Sequence, residues 1–123
     1  MSGEKILVID DELAIRANVI RFLRLEGYVV RDAANGAAGL ASIEADKPAL
    51  ILCDVMMPEV DGFTVLARLR ADPAAAAIPF IFLTASVEQD DKRFSIDQDG
   101  VAYLAKPFNL AELLALIKRK LGG

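Results

Sequence analysis

The segment Leu50-Ile-Leu-Cys53 is apolar at every position, and this constrains the fold more than any other feature of the chain. A strand with one wet face alternates apolar and polar residues. An unbroken apolar run needs cover on both faces. Lys5-Ile-Leu-Val-Ile9 and Pro79-Phe-Ile-Phe-Leu83 share the pattern. Between these runs, apolar residues recur at helical spacing. Ile15, Val19, Phe22 and Leu23 line one side of residues 13–26, and Gly27 ends that segment. Buried strands alternating with helices imply a parallel sheet with helices on both faces.

The remaining elements follow from the same signals. Further strands are expected at 28–31 and 102–104, and further helices at 36–45 and 63–71, the latter ended by Asp72-Pro73. Asn109 reads as the cap of a final helix, with Leu110, Leu113, Leu114, Ile117 and Leu121 on one stripe and Leu116 off it. Residues 87–98 read as a helix started by Ser86 and Gln89, which stand at capping-box spacing. Its apolar stripe is thin, which suits a segment of low local stability. No linker or repeat interrupts the pattern. The expectation is one α/β domain over residues 1–123, with its core at about 4–121.

Composition removes several classes of function. The 123 residues carry 14 Lys and Arg against 18 Asp and Glu, a net charge of −4, so the basic face that direct nucleic-acid binding needs is missing. There is no His, which removes imidazole metal sites and Ser-His-Asp chemistry. A single Cys allows neither a disulfide within the chain nor a cysteine zinc site. Cys53 reads as a buried, inert thiol, and a cytoplasmic location fits. The polar start Met-Ser-Gly-Glu-Lys does not read as a signal peptide. No stretch approaches the roughly 20 apolar residues of a membrane span.

Ligands of open α/β sheets bind beyond the carboxyl ends of the strands. Reading those ends gives Asp10-Asp11-Glu12 after the first strand, Asp54 after the third, Thr84 after the fourth and Lys106 after the fifth. The second strand's end, Asp32-Ala33, offers nothing obvious. Taken singly, the three acids could favour a helix N-terminus, Thr84 could be a cap, and Lys106 a solvated lysine. Asp54 is different, because a carboxylate ending an apolar strand is costly to desolvate without a partner. Carboxylates gathered at one sheet edge repel one another and call for a cation. Oxygen donors without His or Cys suit Mg2+, with Mn2+ as the alternative. A lysine adds a point charge suited to a phosphoryl group. Together these groups read as a phosphoryl-transfer site with a carboxylate nucleophile.

Ile9-Asp-Asp-Glu12, Asp54-Val-Met-Met-Pro-Glu-Val-Asp-Gly62, Ile81-Phe-Leu-Thr-Ala85 and Tyr103-Leu-Ala-Lys-Pro-Phe108, in this order, resemble the receiver domain of two-component response regulators, of the chemotaxis type. The resemblance implies a flavodoxin-like five-stranded parallel sheet of order 2-1-3-4-5. It also implies a phosphorylation-dependent signalling switch rather than an enzyme, apart from Mg2+-dependent self-phosphotransfer and autodephosphorylation. Asp54 matches the phosphoacceptor. Asp10, Asp11, Asp54 and the backbone carbonyl of Met56 match the metal ligands. Thr84 and Tyr103 match the switch pair, and Lys106 the lysine that reads the phosphoryl group, with a cis bond to Pro107. Ala85 matches a small residue that leaves the acceptor accessible. Met56 and Ser86 match the positions that flank the hydrolytic water's path. Neither carries a long amide or acid to hold that water, so a long-lived phosphorylated state is expected. One departure is Asp99-Gly100-Val101-Ala102, where the family usually has a Gly-Ala-Asp-Asp-like run.

The implied partners are a histidine kinase or histidine phosphotransfer protein and a downstream protein, with no direct nucleic acid and no membrane insertion. The alternative is the receiver portion of a longer regulator with a DNA-binding or enzymatic output, against which stands only that Gly122-Gly123 follow Leu121. A flavodoxin-like FMN carrier needs a phosphate-cradling loop after the first strand, where this chain has three acids. A phosphatase with a nucleophilic Asp needs a second Asp two residues on, where Met56 stands.

Overall fold

A computed structural model of the chain describes residues 3–84 and 101–122. Its described strands are β1 (Lys5–Ile9), β2 (Val29–Ala33), β3 (Leu50–Asp54), β4 (Phe80–Thr84) and β5 (Val101–Ala105). Its described helices are α1 (Leu13–Leu25), α2 (Gly36–Ala45), α3 (Gly62–Ala71) and α4 (Leu110–Lys120). The strands form one sheet of order β2-β1-β3-β4-β5 in which every pairing is parallel. This is the order expected. The readings at 85–100, including Ala85, Ser86 and the helix at 87–98, lie outside the described residues.

The unbroken apolar strands make physical sense in this sheet. Side chains alternate across a strand, so one run feeds two cores. Leu7 and Ile9 point into a cluster with Ile51, Cys53, Phe80, Phe82, Ile43 of α2, and Val65 and Leu69 of α3. Ile6 and Val8 point the other way, to Leu50, Leu52, Ile81, Leu83, Val19 and Leu23 of α1, and Leu113 and Ile117 of α4. All five residues of β3 and of β4 are buried.

Side-chain caps set the helix starts on one side of the chemistry. Asn35 accepts from the Ala38 N–H, Asp61 from Thr64 N–H, and Asn109 from Glu112 N–H. Glu12 precedes α1 without a side-chain cap of its own. At the far end of α1, Gly27 takes φ +96°, which a side chain would resist, and its N–H bonds the Arg24 carbonyl.

Two details differ from the sequence reading. The strands run further than their apolar cores. β2 continues through Arg31 and Asp32 to Ala33, because ladder pairing with β1 carries polar residues along an edge strand. Asp54 and Thr84 are therefore last residues of strands, not the residues after them. Leu116 is the second correction. It is buried, with Leu113 and Ile117, in the core between α1, α4 and the sheet. Leu113, three residues earlier, shares its face, and the buried side of α4 is wide enough to take Leu116 as well as Ile117, so Leu116 is part of the stripe.

Candidate functional site

Parallel strands place their carboxyl ends along one edge, and four of those ends converge here. β1 delivers Asp10, which is fully buried. Each of its polar groups is engaged: its N–H donates to the Ala33 carbonyl at 3.1 Å, and Oδ1 accepts from the Glu12 N–H at 2.9 Å. Oδ2 lies 3.0 Å from Lys106 Nζ. β3 delivers Asp54, with only 4% of its surface exposed. β4 delivers the buried Thr84. Beyond β5, the Lys106 N–H donates to the Thr84 carbonyl at 2.7 Å, which ties the lysine to the end of β4. The Lys106–Pro107 bond is cis, as expected.

Lys106 is the hub. Its ammonium is 2.8 Å from Glu12, 3.0 Å from Asp10 and 3.4 Å from Asp54. Its side chain is buried, which disfavours the charge, but the hydrogen bonds to Glu12 and Asp10 outweigh that and hold its pKa above the ordinary value. Asp54 goes the opposite way for a carboxylate in company. Desolvation lifts its pKa to about 6; Lys106 pulls it down, while Asp10 and Asp11 push it up.

One oxygen from each of Asp10, Glu12 and Asp54 lies within 4.8 Å of the others. One ammonium among three carboxylates leaves negative charge uncompensated. A hard divalent ion with oxygen ligands fits that donor set. Glu12 is the member that sequence reasoning left unassigned. Its position in the Asp10-Asp11-Glu12 run was visible, but its reach to Lys106 depends on how α1 begins. Asp11, expected among the ligands, is exposed and falls outside this cluster, although it acts on Asp54 through its charge. Met56, two residues past Asp54, is 74% exposed.

An aromatic row backs the acceptor. Phe82 stands two residues before Thr84 on β4, and its ring packs on Phe80 at 4.8 Å, Phe63 at 5.0 Å and Tyr103 at 5.1 Å between centroids. The Tyr103 ring is nearly parallel to that of Phe82, at 20°, and half-buried beside the core.

A family model described as the response regulator receiver domain matches residues 6–118. The chain is a response regulator receiver domain. Among solved structures, a CheY-like receiver domain from Methanospirillum hungatei is similar at TM-score 0.87 and 34% identity, covering 98% of this chain and 95% of its own. The receiver domain of a sensor histidine kinase from Pseudomonas aeruginosa, solved with a magnesium ion coordinated in its active-site cleft, reaches TM-score 0.86 at 31% identity over 99% of this chain and 100% of its own. RpaA, a DNA-binding dual master transcriptional regulator of Synechocystis sp., is 43% identical over 93% of this chain and 47% of its own length. PhoB, the phosphate regulon transcriptional regulatory protein of Pseudomonas aeruginosa, is 38% identical over 96% of this chain and 52% of its own. The receiver thus spans about half the length of these curated relatives. Receiver domains are signalling switches of two-component systems that bind Mg2+ at an acidic pocket, and the cluster of Asp10, Glu12 and Asp54 fits such a pocket. No described helix is long and apolar enough to cross a membrane.

Proposed function

We propose that this receiver is switched by a phosphoryl group carried on Asp54. The observation that carries the reading is Asp54 itself: a nearly buried carboxylate at a strand end, with Lys106 at 3.4 Å and Thr84 ending the neighbouring strand. A carboxylate oxygen of Asp54 attacks phosphorus, and the bond from phosphorus to a histidine nitrogen of the donor breaks, the electron pair leaving with the imidazole. Lys106 is in reach to trade a carboxylate contact for a phosphoryl oxygen, and Thr84 offers its hydroxyl to another.

The metal set in this reading is Asp10, Asp11, Asp54 and the Met56 carbonyl, with Glu12 beside them. These groups would hold Mg2+, or Mn2+ in its place, and the bound ion would supply positive charge at the phosphoryl oxygens. Closing of Thr84 on the phosphoryl group then draws Tyr103 inward, which is the signal a downstream protein reads. The donor is a histidine kinase or histidine phosphotransfer protein in the cytoplasm. Residues 1–123 act as one receiver unit, whether they work alone or feed a DNA-binding or enzymatic output. The relatives' greater length favours keeping that second arrangement.

The test is labelling by acetyl phosphate with Mg2+. Wild type should gain one acid-stable, hydroxylamine-labile phosphoryl group, and Asp54→Asn should gain none. Persistent labelling of the variant at another acid would overturn the assignment.

A further inference from the structure

The end of β2 is not silent. Asp32 Oδ2 accepts a hydrogen bond from Arg16 Nε at 2.9 Å, and Nη1 of the same guanidinium donates to the Asp10 carbonyl at 2.6 Å. The Arg16 side chain is mostly buried, with 13% exposed, while that of Asp32 is 45% exposed. Arg16 lies in the first turn of α1, Asp32 next to last on β2, and Asp10 just past β1.

We infer that Arg16 is a positioning residue for the metal-binding acids. Its grip falls on the carbonyl of the peptide that joins Asp10 to Asp11. Fixing that peptide plane fixes the direction in which both carboxylates leave the strand. The Asp10 carboxylate is already set by the Glu12 N–H and Lys106, and its N–H by the Ala33 carbonyl, so its own carbonyl is the remaining handle on its backbone. Arginine suits the task, because its rigid planar fork reaches two acceptors at once, whereas a lysine ammonium is a single point charge. Asp32 orients the fork from the sheet edge. Groups that hold metal ligands in place in this way commonly change metal affinity by about 10–100-fold when removed. Arg16 touches neither the phosphoryl group nor the metal. The inference rests on the Mg2+ reading of the acid pocket.

The experiment is a Mg2+ titration, by calorimetry or amide NMR shifts, of wild type, Arg16→Met, Arg16→Lys and Asp32→Asn, at a temperature where circular dichroism shows each folded. Arg16→Met should bind Mg2+ about tenfold more weakly. Arg16→Lys and Asp32→Asn should lose less, since one keeps the charge and the other keeps the guanidinium on the Asp10 carbonyl. Labelling by acetyl phosphate should then need more Mg2+ in Arg16→Met, with the rate at saturating Mg2+ within about twofold of wild type, as expected when binding alone is lost. Wild-type Mg2+ affinity in Arg16→Met, however destabilised, overturns the inference while leaving the acid pocket intact. If Arg16→Met does not fold, wild-type affinity in both other variants does the same. A wild type that binds no Mg2+ overturns the pocket reading and this inference together, and the wild-type trace alone separates that case.

Discussion

Replacing Asp54 with Asn should stabilise the metal-free protein at neutral pH. Asp54 ends a strand buried along its whole length, and desolvation, only partly offset by Lys106, raises its pKa from 3.8 to about 6. The folded state therefore binds more protons than the unfolded chain between about pH 4 and 6. Stability falls as pH rises through that window and stays low above it. At about 1.4 kcal/mol per pH unit, the difference between 3.8 and about 6 amounts to roughly 3 kcal/mol against the ionised carboxylate. Asn removes that penalty. It also removes the 3.4 Å contact with Lys106, but Glu12 at 2.8 Å and Asp10 at 3.0 Å still hold the ammonium. The expected gain is on the order of 2–3 kcal/mol at pH 7.5, shrinking towards zero near pH 4. Urea unfolding in EDTA at several pH values from 4 to 8 measures it. Saturating Mg2+ should narrow the gap, because it binds the folded wild type. A variant no more stable than wild type at pH 7.5, or a gap that ignores pH, would refute the desolvation argument.

Other outcomes follow from the same geometry. Lys106→Ala should raise the Asp54 pKa further, since the lysine is what lowers it, as an NMR titration in EDTA will show; labelling should survive but the conformational response should be impaired. Phe82→Ala should cost about 3–5 kcal/mol in urea unfolding, because a fully buried ring that contacts three others leaves a cavity. Gly62→Ala should cost about 1–3 kcal/mol and slow labelling, because its new Cβ would collide with the Asp54 carbonyl oxygen and come within 2.9 Å of the Phe82 ring. Met56→Asn and Ser86→Glu should each speed loss of phosphate from the labelled protein, followed without any partner; unchanged rates would show that these positions do not place the water.

What the sequence shows and hides has a physical pattern. The unbroken apolar strands are legible because burial on both faces leaves them no polar residues, and from them follows the carboxyl edge where Asp10, Asp54, Thr84 and Lys106 gather. Strand ends are less legible. Asp32 pairs in the ladder with Val8 although its own side chain faces solvent, so hydrophobicity stops short of it. Glu12 and Arg16 escape for another reason. Both act through long side chains whose targets lie on other elements, Lys106 beyond β5 for the first and Asp32 on β2 for the second. Nothing in the spacing along the chain names such a target. Leu116 escapes because a stripe drawn through Leu110, Leu113, Leu114, Ile117 and Leu121 is too narrow for a helix that packs on both the sheet and the neighbouring α1.

The central claim is that the acid edge of this sheet takes up a single phosphoryl group at Asp54. Intact-mass measurement of the protein after acetyl phosphate and Mg2+, with peptide mapping of the product, tests it most directly. The account predicts one added phosphoryl group, mapped to Asp54, absent when EDTA replaces Mg2+ and absent in Asp54→Asn. A phosphoryl group that maps elsewhere, or that forms equally well in EDTA, would contradict it.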